Sequence, residues 1–266
     1  MRYDVNLSIL FTELPLLRRA EAARKAGFGA VEFWWPFATA TPSDAEVDSF
    51  VRSVEDAGVD LASLNFFAGE MAAGERGLVS WPGREREFAD TVEIAVAIAE
   101  RLGCRTFNAL YGNRIEGIAP EAQDELALAN LAVAADSARR IGASLVLEPL
   151  SGAESYPLRT AADAFAVIDK AGRENLALLF DLYHLAVNGD DIDAVISVHA
   201  QRIGHVQVAD APGRHQPGTG SLDIRGYLAK LAATGYDGYV GLEYQPAGPS
   251  EESFGWLAAA PGRENA

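Results

Sequence analysis

The chain has 266 residues, 49% of them hydrophobic, and a formal net charge of −16 from 38 acidic and 22 Lys or Arg side chains. That length supports a sizeable core and suits one α/β barrel of roughly 250 residues better than two small domains. The acid excess excludes the basic face with which nucleic-acid binders neutralise phosphates, and the lone cysteine, Cys104, excludes an intramolecular disulfide framework.

The opening Met1-Arg2-Tyr3-Asp4 places an acid where a signal peptide needs a basic segment, and no run approaches the ~18 apolar residues of a membrane span. The expectation is a cytoplasmic protein with a small-molecule partner, no nucleic acid and no membrane; the composition is compatible with a homo-oligomer.

In chain order, an opening strand is expected over Asp4–Ser8. A helix–Gly–strand junction then recurs with its glycines at 27, 58, 103, 142, 172, 204 and 235, at intervals of 30 to 45 residues. Stretches with apolar residues at helical spacing, such as Phe88 to Leu102, precede most junctions. The glycine suits the left-handed position that ends a helix. Short apolar runs follow (143–147, 176–180, 206–208, 240–242), as in parallel strands buried on both faces. Seven junctions after an opening strand predict a single (β/α)8 TIM barrel over residues 1–266. An open doubly wound sheet is disfavoured because Asn6–Phe11 lacks a glycine-rich phosphate turn. The longest interval contains a polar, Gly-rich insertion at about 68–87, read as either a lid or a structural loop. From about residue 247 the chain reads as one short amphipathic segment (Phe254, Trp256, Leu257) and a frayed tail.

Barrel chemistry sits at the C-terminal ends of strands. The residues expected there are Glu32, Asn65, Asn108, Glu148, Asp181, Gln207 and Glu243. A carboxylate closing a buried strand must be paired, metal-bound or protonated, because leaving it alone costs several kcal/mol. Glu32 by itself reads as a structural ion-pair partner. Glu148, Asp181, Gln207 and Glu243, on consecutive strands, read as a metal site. An oxygen-only set favours Mg2+ or Mn2+, either of which can polarise the carbonyl of a small hydroxy-carbonyl compound. A hydrogen-bonded polar layer without an ion is the competing reading. His184, just past strand 6, is placed as a substrate contact. His205 lies one layer below Gln207 and is given a structural role; His199 and His215 read as exposed. The loop at 211–223 offers backbone amides and Arg214 to an anion.

Several segments closely resemble the bacterial hydroxypyruvate isomerase family of the xylose-isomerase-like barrels. They are NLSILF (6–11), AAGERG (72–77), PGREREF (82–88), FDLYH (180–184), IGHVQVADAPGRHQPGTG (203–220) and GLEYQP (241–246). The resemblance runs over about residues 3–258. It implies interconversion of hydroxypyruvate and tartronate semialdehyde, in glyoxylate and related C3–C4 acid metabolism. It also implies that Glu148 and Glu243 are the proton donor/acceptor pair, that His184 and Arg214 contact substrate, and that Gln207 stands where the wider superfamily has a metal-binding His. That exchange leaves metal dependence open.

Two opposed carboxylates suit enediol chemistry when their environments push their pKa values apart. Arg214 and Arg76 are the candidate cations for a substrate carboxylate, and Asn65 and Asn108 complete the substrate-binding set. Rival readings are a 2-oxo-tetronate isomerase or free-ketose 3-epimerase, a metal-dependent dehydratase, and a non-catalytic binding barrel.

Overall fold

Eight parallel strands close into a barrel in sequence order, each paired with its neighbour and β8 returning to β1. The computed structural model describes residues 1–259. The strands are β1 (Arg2–Asn6), β2 (Ala30–Phe33), β3 (Asp60–Asn65), β4 (Thr106–Asn108), β5 (Ser144–Leu147), β6 (Leu176–Asp181), β7 (Ile203–Val208) and β8 (Tyr239–Leu242). Around them run α1 (Leu16–Lys25), α2 (Asp44–Ala57), α3 (Glu85–Leu102), α4 (Pro120–Arg139), α5 (Ala161–Ala171), α6 (Leu182–Asn188), α7 (Ile192–His199) and α8 (Ile224–Ala233). Among the described residues no helix is long and apolar enough to cross a membrane.

Local chemistry accounts for the element boundaries. Ser43 and Glu46 form a capping box at the start of α2, and Thr160 with Asp163 does the same for α5. Gly58, Gly103 and Gly172 end α2, α3 and α5 in the left-handed conformation, as their spacing predicts.

Gly204 departs from that pattern. It lies inside β7, after a 3-10 turn at Ala200–Arg202. A Cβ there would stand 2.8 Å from Val146 Cγ1 and 2.9 Å from Ala177 Cβ, so this glycine serves close packing rather than a helix end. The first strand also differs from expectation, ending at Asn6 instead of Ser8. The Asn6 carbonyl accepts from Leu10 N–H and its side-chain oxygen from Ser8 N–H, which turns the chain immediately after the strand. Glu148 and Glu243 sit one residue beyond β5 and β8 rather than within them. His199 and His215 are half-buried, not exposed: His199 packs against Phe165, and His215 Nδ1 lies 2.7 Å from the Gln245 carbonyl.

The C-terminal segment forms a 3-10 helix (Ser250–Ala259) that covers the β1 side of the barrel. Phe254 meets Phe11 and Phe28, and Trp256 meets Tyr3 edge-on. Residues 260–266 of the expected tail lie outside the described residues.

The insertion after β3 is laced to the end of β4. Gly77 N–H donates to the Ala68 carbonyl, and Gly112 N–H to the Arg76 carbonyl. Gly77 has φ +113° and lies so close to β4 that a Cβ would fall 1.9 Å from the Leu110 carbonyl oxygen. Gly77→Ala is therefore expected to lower stability by roughly 1–3 kcal/mol, because a strained backbone and a backbone clash coincide. Urea unfolding of the two proteins side by side checks this; an unchanged midpoint would mean that the loop is free to shift.

Candidate active site

At the C-terminal end of the barrel a cavity of about 380 Å³ is lined by Glu148, His184, Arg214, Glu243, Arg76 and Asn65, with Trp34, Met71 and Ser151 among its walls. Asn65, Glu148 and Glu243 reach it from strand ends and His184, Arg214 and Arg76 from the connections, whereas Asn108, Asp181 and Gln207 are buried outside its lining.

Asp181 closes β6 and caps α6: its Oδ1 accepts from Tyr183 N–H (2.7 Å) and His184 N–H (3.2 Å). Its other oxygen is buried with no hydrogen-bond partner. The short helix begun by this cap turns His184 inward. His184 Nδ1 lies 3.0 Å from Ser151 N–H and must accept from it, so the ring proton sits on Nε2. Burial, opposed by Asp181 and reinforced by Arg214, lowers the imidazole to about 4. His184 is thus a neutral donor whose Nε2 stands 3.8 Å from both Glu148 Oε1 and Asp181 Oδ2.

The two glutamates occupy unlike surroundings. Glu148 accepts one side-chain hydrogen bond, from the neutral amide of Asn108 at 2.6 Å. Burial first, then the charges of Glu243 and Asp181, push it well above the usual carboxylate range. Glu243 accepts from Trp34 Nε1 (2.5 Å), Asn6 Nδ2 (3.0 Å) and Arg214 Nη2 (2.6 Å). Burial first, then the charges of Asp181 and Glu32, raise it to about 8, although Arg214 and the Trp34 hydrogen bond oppose the shift.

A layer below, Glu32 meets His205 Nε2 at 2.5 Å through one oxygen. Through the other it accepts from Gln207 Nε2 (2.7 Å) and Asn6 Nδ2 (3.0 Å). Glu32 is therefore paired, as expected, with His205, and its carboxylate has a second effect. It commits the amide end of Gln207 downward and leaves Gln207 Oε1 as a buried acceptor without a partner. Asp4 completes this lower cluster, its carboxyl driven well up by burial and by Glu32.

Of the four predicted metal ligands, Glu148 and Asp181 offer oxygens that lie, with a His184 nitrogen, within 4.8 Å of one another. Glu243 is turned to Arg214. Three orphaned buried acceptors, on Asp181, Gln207 and Asn108, leave donor capacity that a hard divalent ion suits. By this measure the residues present fit such an ion.

Of the remaining predicted residues, Asn108 serves Glu148, Asn65 lines the cavity, and Arg76 donates to the Met71 and Glu75 carbonyls with no carboxylate partner among the described residues. The anion expected at loop 211–223 is the chain's own Asp210, which accepts from Ala211, Gly218 and Leu222 N–H. Sequence reasoning missed Asn6, Trp34 and Ser151. Asn6 ends a strand like the others, but the strand was placed two residues too far along; Trp34 and Ser151 carry no spacing signal.

Fold and pocket together define a TIM barrel whose C-terminal cavity is lined by buried carboxyls, a neutral imidazole and two guanidinium groups. Residues 20–260 match the family model described as xylose isomerase-like TIM barrel. A putative hydroxypyruvate isomerase of Streptomyces coelicolor is 52% identical, covering 97% of this chain and 96% of its own. A 2-oxo-tetronate isomerase of Cupriavidus necator is 34% identical, covering 98% and 99%. A crystal structure of an AP endonuclease, family 2, from Brucella melitensis superposes with a TM-score of 0.88 at 35% identity, covering 97% of this chain and 98% of that one. This chain belongs to the xylose isomerase-like TIM-barrel family and, within it, to the hydroxypyruvate isomerase group of isomerases.

The raised pKa of Glu148 has a consequence for stability. A carboxyl that holds its proton more tightly when folded contributes stability fully below its unfolded pKa, and that contribution is lost as pH rises towards its folded value. Glu148→Gln needs no proton to stay neutral. In the presence of a chelator its stability relative to the parent is expected to increase as pH rises from the acid range to neutrality. Thermal unfolding across pH checks this; a gap that shrinks with pH contradicts a protonated Glu148.

Proposed function

We propose that this isomerase interconverts hydroxypyruvate and tartronate semialdehyde through an enediolate, with Glu243 as base and Glu148 as acid. The observation that carries the reading is the unlike setting of the two buried glutamates: three donors, one of them a guanidinium, on Glu243, against a single neutral amide on Glu148.

In this scheme Glu243 removes a proton from carbon 3 of hydroxypyruvate, whose electron pair moves into the carbon 2–carbon 3 bond. Glu148 then delivers a proton to carbon 2, and the carbon-3 hydroxyl proton passes to the carbon-2 oxygen. Atoms and charge balance without a redox partner. The Nε2–H of neutral His184 is placed to donate to the oxygen that becomes negative. Arg76, whose partners among the described residues are backbone carbonyls, is one of two cations, with Arg214, available to the substrate carboxylate.

Glu148, Asp181, Gln207 and Glu243 would hold Mg2+ or Mn2+, which when bound supplies Lewis-acid polarisation of the carbonyl. The buried single thiol and the net charge of −16 support a cytoplasmic, small-molecule setting over a nucleic-acid one. A cavity of about 380 Å³ also leaves room for a fourth carbon, which keeps 2-oxo-tetronate as the second substrate to test.

In D2O the protein is expected to place deuterium on carbon 3 of hydroxypyruvate, followed by proton NMR; Glu243→Gln should reduce this by at least ~10³-fold with the circular dichroism spectrum unchanged. No exchange with either acid by the parent protein would sink the enediol reading. Arg76→Ala should raise KM by about 10- to 100-fold while kcat changes less; a purely kcat effect would place Arg76 elsewhere.

A further inference from the structure

Arg214 is a positive charge lodged where the ring of carboxylates is densest. Its side chain is 20% exposed, with Nη2 2.6 Å from Glu243 Oε2 and 3.9 Å from Asp181 Oδ2. Asp181 Oδ2 has no hydrogen-bond partner, and neither has the buried Arg214 Nε. The guanidinium therefore spans the gap between β6 and β8 while using only part of its donor capacity. The ring of Tyr183 lies 5.5 Å from its central carbon.

The backbone beneath is held firmly. The Arg214 carbonyl accepts from Gln245 N–H at 2.8 Å, and Asp210 and His215 form an antiparallel bridge around the turn. Gly213 and Arg214 both adopt positive φ, +102° and +56°. Any movement of the charge is thus a rotation of the side chain alone, into the cavity it already lines.

We propose that the Arg214 guanidinium is the site's own exchangeable cation: it occupies the Asp181–Glu243 gap in the absence of a divalent ion, and on ion binding it swings into the cavity to hold the substrate carboxylate. The inference rests on the enediol reading above and deepens it. Ion and guanidinium compete for the same two carboxylates, and an anionic substrate resolves the competition by giving the displaced charge a partner. Ion and carboxylate must then bind with positive, reciprocal coupling that runs through this one side chain.

The test is Mn2+ binding followed by the electron paramagnetic resonance signal of the free ion, with and without glycolate as a small unreactive 2-hydroxy acid. Relative to the parent, Arg214→Met is expected to bind Mn2+ about tenfold more tightly. Arg214→Lys, which keeps the charge, should stay near the parent value. Glycolate should tighten Mn2+ binding to the parent and leave the Met variant unaffected. Arg214→Gln is a second neutral variant, so misfolding of one leaves the comparison intact. Unchanged or weaker Mn2+ binding in the neutral variants, or equal glycolate coupling in all, overturns the proposal. Deuterium exchange by the parent protein reports on the enediol reading separately, so the two can fail independently.

Discussion

Buried negative charge is the constraint around which the upper half of this barrel is arranged. Asp4, Glu32, Glu148, Asp181 and Glu243 are each at most 4% exposed, and they share the interior of one closed sheet. Carboxylates so placed cannot all be ionised and unpaired, since each would lose several kcal/mol of hydration. Each one is relieved differently. Asp181 takes the first amides of α6, Glu32 takes His205 and two side-chain amides, Glu243 takes Arg214 yet is still raised, and Glu148 and Asp4 are driven well towards the protonated form.

The two glutamates of the pocket are therefore not equivalent. Here Asn6 and Trp34 favour the ionised form of Glu243, while Asn108 leaves Glu148 nearly alone with its burial. Ser151 contributes in the same way by fixing the His184 tautomer, so that a neutral donor rather than a base faces the cavity. The residues that set these roles are mostly uncharged.

The polar layers are linked from the bottom of the barrel upward. Glu32 anchors the amides of both Gln207 and Asn6, and Asn6 in turn touches Glu243. The lower cluster therefore fixes the orientation of the Gln207 amide and leaves its oxygen without a partner. Gly241 makes this possible: a Cβ at that position would lie 2.7 Å from Glu32 Oε1.

Much of this was legible in the chain itself. Strand number, barrel closure, most of the capping glycines and the position of Glu148, Asp181, Gln207 and Glu243 at or near strand ends follow from periodicity, because a parallel strand buried on both faces leaves an apolar run ending in a polar residue. Asn6 was missed by a two-residue error in one strand end, and Gly204 was misread because a glycine that ends a helix and one that lets two strands approach look alike in sequence. Pairing across the barrel was not legible at all. That Arg214 meets Glu243, that Glu32 meets His205, and that Asp210 takes the amides of its own loop depend on the direction in which side chains from distant elements point. Local propensity determined which residues arrive at the rim. Only closure of the sheet decided which charges face each other, because in a dry interior it is proximity, not residue type, that sets a group's protonation and role.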